Sequence, residues 1–342
     1  MTNSVSVVIP TFNGSKRLPH CLNALAAQDF RGRIEIIVVD DGSTDGTNQL
    51  VENEFPNVIL VMQQNQGPAV ARNVGAKRAQ GEVILFTDDD CVPEATWVTQ
   101  MALPFDSDDK IVGVKGAYKT RQEPIVARFV QLEYEDKYRK LFRNKDNIDF
   151  IDTYSAGYRR SVFVESGGYD TQFRVACAED VELSYRLSNA GLKMVFNPLA
   201  VVFHTHPDSL RAYIAKKYKF AYWRVLAYRK NPRKAISDSH TPQMMKFQAM
   251  LPPLLVLSLF FDALSGGKYC FTGGAIAVLL ATTAPFVFRN IRRDPEAAIL
   301  SPLFLVCRAA SQATGIIRGT LSFLLYRPGL RREAVANGAQ GK

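Results

Sequence analysis

Three consecutive carboxylates, Asp88, Asp89 and Asp90, close the apolar run at residues 83–86. A strand buried on both faces cannot keep like charges inside, so the cluster is expected at its carboxyl end, where open α/β sheets bind ligands. In extended backbone Asp88 and Asp90 point to the same side. Two carboxylates with open coordination positions beyond them suit Mg2+ or Mn2+ bridging phosphates, and without a cation their repulsion raises one pKa. A solvated acidic turn explains the triple alone equally well.

Three other groups face the same predicted crevice. After residues 34–39, Asp40 and Asp41 precede Gly42, Ser43, Thr44 and Asp45. One carboxylate there can accept from a pyrimidine ring N–H, with Gly42 permitting close backbone approach and Ser43 or Asp45 capping the next helix. Capping by itself accounts for the string just as well. Pro10, Thr11, Phe12 and Asn13 supply a turn after the first apolar run, and Gly67, Arg72 and Asn73 form a third edge. Arg72 suits a diphosphate or an acidic neighbour.

The elements that must position these residues are legible in the spacing. Apolar, β-branched runs at 5–10, 34–40, 58–62 and 83–87 read as buried parallel strands, with intervals long enough for crossover helices. Helical spacing marks 15–28, through Leu18, Cys21, Leu22 and Leu25, and 67–79, with Gly81 as a stop. The repeated strand–helix–strand order predicts a doubly wound sheet with right-handed crossovers. A further strand is expected at 111–118, an aromatic-rich amphipathic helix at 124–142, a glycine-bearing loop at 153–170, and a helix at 179–190 ended by Gly191.

The chain has 342 residues, 47% of them hydrophobic, which excludes disorder. Five scattered cysteines without CxxC spacing indicate reduced thiols that serve packing. The first residues lack a basic segment followed by an apolar one, so the catalytic part is expected to face the cytoplasm. A net charge of +9 fits nucleic acid, an anionic membrane surface or an anionic substrate. Position decides among them: the densest basic stretch, 211–234, interleaves lysines and arginines with aromatics just before the apolar part of the chain. That pattern reads as an interfacial helix on anionic headgroups, with nucleic acid as runner-up and a helix packed on its own domain as the plain alternative.

Three apolar blocks follow. Residues 247–264 and the charge-free 269–288 are long enough to span a bilayer; 297–326 contains Arg308 and Arg318, each costly at mid-bilayer. The basic residues at 289–293 and Arg327, Arg331 and Arg332 both favour the cytoplasm, so two spans with the third block re-entrant or interfacial satisfy the charges better than three.

Read together, VSVVIPTFNG, VVDDGSTDGT, NQGPAVARNVGAKRAQGEVILFTDDD, GGYD and AEDVELSYRLSNAG resemble the family 2 glycosyltransferases over residues 4–206. The resemblance implies a GT-A fold, an α/β Rossmann-like, mostly parallel sheet with flanking helices, here followed by a transmembrane helical region. The expected organisation is a catalytic domain at 1–205, a basic amphipathic interfacial segment at 206–246, membrane helices at 247–326 with two spans and a third block re-entrant or spanning, and a basic cytoplasmic tail at 327–342. It also implies a nucleotide-sugar donor, a divalent cation, Mg2+ or Mn2+, and an inverting displacement. The nucleotide-binding carboxylate falls on Asp41 or Asp40, with Pro10, Thr11, Asn13, Gly67, Arg72, Asn73, Asp88 and Asp89 around the donor. The metal motif falls on Asp88 and Asp90, with His204 rather than His206 as an additional ligand. The catalytic base falls on Asp180, with Glu179 beside it, although charge complementing a helix dipole explains that pair locally as well.

Processive members of the family carry a QxxRW motif after the base, and none occurs here; Tyr222-Trp223-Arg224 has the wrong order. The reading is therefore a single-addition hexosyltransferase with a donor of uridine type, or else guanosine or thymidine. The expected acceptor is a lipid-linked glycan or glycolipid in the cytoplasmic (inner) membrane, in a pathway of cell-surface polysaccharide, lipopolysaccharide or glycolipid. Transfer to polyprenyl phosphate itself and a non-catalytic nucleotide-sugar-binding scaffold are the alternatives. No nucleic-acid partner is expected.

Overall fold

The computed structural model describes residues 2–173 and 175–324. The apolar runs form the expected parallel strands β1 (Ser4–Thr11), β2 (Arg33–Asp40), β3 (Ile59–Met62) and β4 (Val83–Phe86). They are joined by β5 (Cys91–Pro93), β6 (Ile111–Lys119), β7 (Ala156–Arg159) and β8 (Lys193–His204) in an 8-stranded sheet of order β3-β2-β1-β4-β7-β6-β8-β5. The strands β3, β2, β1 and β4 run parallel, so Thr11, Asp40 and Phe86 end at one edge. Strand β7 pairs antiparallel with both β4 and β6, which makes the sheet mixed.

Because β1 and β4 lack alternation, each supplies both faces of the sheet. Val5, Val7, Ile9 and Leu85 pack beneath α1 (Leu18–Ala26), α2 (Thr47–Glu54) and, further along, α4 (Trp97–Ser107) and α5 (Ile125–Phe142). On the opposite face Val8, Ile84 and Phe86 pack with α3 (Pro68–Arg78), α6 (Arg160–Glu165) and α7 (Glu179–Asn189). The loop expected at 153–170 instead contains a 3-10 turn at Thr153–Ser155, strand β7 and helix α6. The strand sequence Ala-Gly-Tyr-Arg carries no β-branched residue. Its place in the sheet comes from being inserted between β4 and β6, a tertiary effect that local propensity does not reveal.

The basic stretch folds as α8 (Leu210–Lys230) and α9 (Pro232–Ile236). Several of its cations turn inward rather than toward headgroups: Lys217 is buried and pairs with Glu133 of α5 at 2.8 Å, and Arg224 reaches Tyr185 Oη of α7 at 3.3 Å. Then come α10 (Gln243–Leu264), α11 (Cys270–Ala281), α12 (Ala284–Asn290) and α13 (Pro295–Leu324). Three stretches, Gln243–Leu264, Cys270–Asn290 and Pro295–Phe323, are helical, long and apolar enough to cross a membrane. Helix α10, at about 1.5 Å per residue, spans roughly 33 Å. It forms a hairpin with α11 and α12. At the tip, buried Asp262 accepts from the N–H groups of Phe271 (3.0 Å) and Thr272 (2.8 Å), capping α11; nearer the base, Gln248 donates to Thr282 Oγ1 at 3.0 Å.

The base of the hairpin is fastened to the sheet domain. Arg289 bonds to Asp136 at 2.7 Å, Arg293 to Glu135 at 2.8 Å, and Asp294 to Arg128 at 2.7 Å, all three acceptors or donors on the domain side belonging to α5. The chain thus returns to the side from which it left. Helix α13 is continuous, so the re-entrant form of the third block does not occur in the described residues. One face, including Ala297, Phe304 and Ala309, is buried, and Arg308 bonds to Glu133 of α5 and Gln248 of α10. The opposite face exposes Ile299, Leu303, Ile317 and Leu321, together with Arg318. An outward face this apolar suits contact with lipid, in a spanning or an interfacial helix. The basic tail expected at 327–342 lies outside the described residues.

Helices α8 and α13 approach closely where α13 has no side chain. A Cβ at Gly315 would lie 2.6 Å from the Tyr218 carbonyl oxygen, and one at Gly319 2.6 Å from that of Tyr222. Both obstacles are backbone. Gly315→Leu is therefore expected to force the helices apart and cost about 1–3 kcal/mol, read as a lowered thermal midpoint of the detergent-solubilised protein. Gly274→Leu, where an added Cβ meets nothing within 4 Å, should not lower it.

Candidate active site

The ends of β1 and β2 build one wall of the crevice. Asp41 is fully engaged: it accepts at Oδ1 from Gln63 Nε2 (2.7 Å) and the Gln66 N–H (2.9 Å), and at Oδ2 from the Gly67 N–H (2.8 Å). It pins the loop between β3 and α3. Among the described residues Asp40 accepts only at Oδ1, from the Ser43 N–H at 2.9 Å, and has acceptor capacity to spare. Asn13, with φ 50°, accepts from the Thr44 N–H at 2.8 Å and donates its own N–H to Ser43 Oγ at 2.9 Å. Asparagine tolerates that left-handed conformation, which ties the turn after β1 to the turn after β2. Pro10 and Thr11 end β1, and the Thr11 hydroxyl donates to Asp89 at 2.7 Å.

The acidic triple is divided three ways. Asp88 pairs with Arg72 at 2.6 Å. Asp89 accepts from Thr11 and from Arg17 Nη2 at 2.8 Å, so its carboxylate fastens the turn after β4 to β1 and α1 and is not free for a donor. Asp90 sits against His204 on β8, Oδ1 to Nδ1 3.3 Å, with Cys91 Sγ 3.8 Å from the same nitrogen. Burial opposes ionisation of Asp90, but His204 and then Lys216 hold its pKa below the usual value.

These residues fit a hard divalent cation. Asp90, Cys91 and His204 place an oxygen, a sulfur and a nitrogen within 4.8 Å of one another. Burial, with Asp90 and Asp88 nearby, pushes the Cys91 thiol well up, so it stays protonated and the usable donors are oxygen and nitrogen. His204 Nε2 is buried without a hydrogen-bond partner among the described residues. His206 is occupied elsewhere: it contacts Gln131 at 3.0 Å, stacks on Tyr134 with ring centroids 5.4 Å apart, and is pushed down to about 2 by burial and by the His204 and lysine charges. Of the two histidines, His204 is the one at the acidic cluster.

Arg72, almost wholly buried on α3, joins Asp88 to Glu179 of α7, the latter at 2.8 Å. Burial disfavours its charge, but Asp88 and Glu179 outweigh it and hold the guanidinium firmly protonated. In this structure its partners are the acidic neighbours Asp88 and Glu179. Asn73 is likewise occupied, exchanging hydrogen bonds with the Tyr169 backbone at 2.7 and 2.8 Å.

Asp88, Glu179 and Asp180 line one cavity, together with Tyr118, Tyr134, Lys137, Asp152, Tyr154, Arg224 and His240. Asp180 is the second residue of α7, where its Oδ1 accepts from the Val181 N–H at 2.7 Å. Burial first, then the charges of Glu179 and Asp152, push its pKa up to about 7, against the pull of Arg224. A carboxylate poised near neutrality can take a proton. Lys216 of α8, half-buried and 5.6 Å over the Tyr154 ring, adds positive charge near Asp90 and Asp88. Lys216 and Arg224 belong to the stretch read as interfacial, and Lys137 to a helix read only as amphipathic. No local spacing directs such residues to a site; a lysine inside an aromatic-rich run is the only available signal.

Residues 6–167 match the family described as Glycosyl transferase family 2. An N-acetylglucosaminyltransferase of Azorhizobium caulinodans is 30% identical over 242 residues, 65% of this chain and 59% of that protein. The probable glycosyltransferase YdaM of Bacillus subtilis is 28% identical over 234 residues, 64% of this chain and 54% of its own length. The chain thus spans somewhat over half the length of these relatives. The mannosyltransferase PcManGT from Pyrobaculum calidifontis, solved with GDP-Man and Mn2+, superposes with a TM-score of 0.58 over 93% of this chain and 87% of that one, at 20% identity. Residues 6–167 thus carry a family 2 glycosyltransferase domain, and the fold is GT-A.

The division of the triple has a measurable consequence. Asp90→Asn should weaken Mn2+ affinity at least about tenfold, as removal of a ligand does. Asp89→Asn should leave that affinity within about threefold while lowering the thermal midpoint, since it loosens Thr11 and Arg17. Mn2+ titration by electron paramagnetic resonance on both variants separates the two effects.

Proposed function

We propose that the protein is a membrane-anchored, metal-dependent, inverting hexosyltransferase that adds one sugar from a nucleotide-sugar, a UDP-sugar foremost, to a lipid-linked acceptor. The acceptor lies at the cytoplasmic face of the inner membrane, in the synthesis of a cell-surface polysaccharide, lipopolysaccharide or glycolipid. The observation that carries this reading is the shared cavity of Asp88 and Asp180, donor edge and base, in a domain whose α5 also holds the base of the apolar hairpin.

Asp90 and His204, with Asp88 adjacent, would hold Mg2+ or Mn2+, which supplies neutralisation of charge on the leaving diphosphate. Asp40, Asn13 and the turn after β1 cradle the nucleoside. Lys216 adds a positive charge on the phosphate side. Asp180 accepts the proton of the acceptor hydroxyl as its oxygen attacks the anomeric carbon from the face opposite the diphosphate, inverting that centre. Tyr154, Tyr118 and Tyr134 wall the cavity and limit water.

Calorimetry with UDP, GDP and dTDP, in manganese or chelator, tests the donor site. Tight binding of one nucleotide is expected only with metal, and not by Asp90→Ala. Asp180→Asn should keep that binding but lower transfer by about 10²–10⁴-fold. Retention of most activity would point instead to a phosphate oxygen as the nucleophile, which needs no base.

The sign of the pH dependence follows from the raised pKa of Asp180. Below about 7 the free enzyme carries the protonated, inactive form, so kcat/KM should fall about tenfold per pH unit on the acid side and level off above. A flat profile between pH 5 and 8 in wild-type protein would remove Asp180 as the base.

A further inference from the structure

Two cations, Lys137 and Arg224, line the cavity beside the carboxylates Asp88, Asp152, Glu179 and Asp180. Lys115 bonds to Asp152, Lys140 donates to the carbonyls of Asp238 and Thr241, and Lys234 and Lys246 pair with Asp149 and Asp238. Two lining cations are left over. Lys137, 8% exposed on α5, has its ammonium 4.6 Å from the centre of the Tyr134 ring and makes no hydrogen bond or ion pair among the described residues. Arg224 of α8 reaches the Tyr185 hydroxyl and the rings of Phe150 and Tyr228, at 5.8 and 5.9 Å; it makes no ion pair among the described residues, and Asp238 and Asp180 act on it only at longer range.

Neighbouring groups report the resulting field. Burial, then Lys137, Lys115, Arg224 and Lys140, push His240 well below its ordinary pKa, so it stands in the cavity wall as a neutral imidazole. Burial, then the like charge of Lys217, does the same to Lys137, with Arg224 adding to the effect and Glu133 and Asp152 opposing it. A buried ammonium without a counter-ion is costly, and an entering anion relieves that cost. Asp180 repels anions from the other side of the cavity, so an occupant must present its charge to Lys137 and Arg224 and a different group to Asp180.

We propose that Lys137 and Arg224 form a subsite for a phosphate ester borne by the acceptor. This rests on the transferase reading above and deepens it. Arg224 supplies a planar fork of donors and Lys137 a point charge, the complementary pair used on phosphoryl oxygens. The wall of the subsite at His240 lies just before α10 begins at Gln243. A phosphate there sits where the chain enters the apolar hairpin, which favours a lipid-borne ester. A phosphate on a soluble sugar shares the same chemistry and is distinguished by the test.

The test is calorimetry on the full-length protein in detergent, with farnesyl phosphate and glucose 6-phosphate as probes and the preferred nucleotide with Mn2+ as a separate titration. Lys137→Gln and Arg224→Gln are each expected to weaken farnesyl phosphate roughly 10–100-fold, as loss of a charged hydrogen-bond partner does, and Lys137→Arg to retain most of the affinity. Nucleotide affinity unchanged in all three shows that the variants are folded. Tighter binding of farnesyl phosphate than glucose 6-phosphate assigns the subsite to a lipid; equal binding supports the subsite with a soluble phosphate ester. Equal affinity in wild type and both glutamine variants, or no binding of either phosphate to wild type while nucleotide binds, overturns the subsite and leaves the transferase reading standing. Failure of wild type to bind any nucleotide is the separate result that would sink the transferase reading.

Discussion

One buried guanidinium holds the two halves of the site at a fixed separation. Arg72 rises from α3, on the parallel half of the sheet, and bonds to Asp88 after β4 and to Glu179 at the start of α7. Those carboxylates come from segments about ninety residues apart in the chain and would repel each other if left to themselves. Removing one partner of so buried a cluster typically costs about 3–5 kcal/mol, because the remaining charges are left uncompensated. The placement of Asp180 depends on this contact. The chain enters α7 through Ala178 in a left-handed conformation, φ 70°, which a non-glycine residue adopts only when its surroundings require it. With Glu179 anchored by Arg72, the next residue is directed into the cavity that Asp88 also lines.

A second ionic cluster does for the membrane side what Arg72 does for the site. Glu133 of α5 accepts from Lys217 of α8 and Arg308 of α13, and Arg308 continues to Gln248 of α10. Burial alone would push Glu133 up, but Lys217 and Arg308 bring it down to about 2, so the carboxylate is ionised at any physiological pH. This arrangement answers the cost of an arginine in the third apolar block: Arg308 lies on the inward face of α13 with a carboxylate partner, while Arg318 lies on the outward face. The helix remains long and apolar enough to cross a membrane, with Arg308 paired on its inward face.

What could be read in the sequence was whatever had a local period or a local string. The four parallel strands, α1, α3 and the carboxyl-end location of Asp88 and Asp90 follow from apolar runs and crossover lengths, and they are present. Strands β5 and β7 escaped because three or four residues with Cys, Pro, Ala or Gly carry no signature; pairing with β8, β4 and β6 makes them strands. Asp89 could not be separated from its neighbours by spacing, since only the presence of Arg17 and Thr11 decides where its carboxylate is held. The basic stretch was legible as a helix but not in its orientation. A run in which cations and aromatics alternate has no unambiguous apolar stripe, so which lysines turn inward is settled by Glu133, Asp90 and the packing of α13.

Helix α5 connects these observations, because its two faces serve different solvents. Tyr134 and Lys137 line the cavity that holds Asp180, while Glu133 and Asp136 border the junction with α10 and α12. Successive residues on a helix point about 100° apart, so a single rigid element separates the reaction chamber from the apolar hairpin by little more than its own diameter of about 10 Å. A mobile loop there would allow the depth of the hairpin and the position of the cavity to vary independently. A helix with ion pairs on one side and an aromatic wall on the other does not. The distance between the apolar hairpin and Asp180 is therefore set by side chains of one helix.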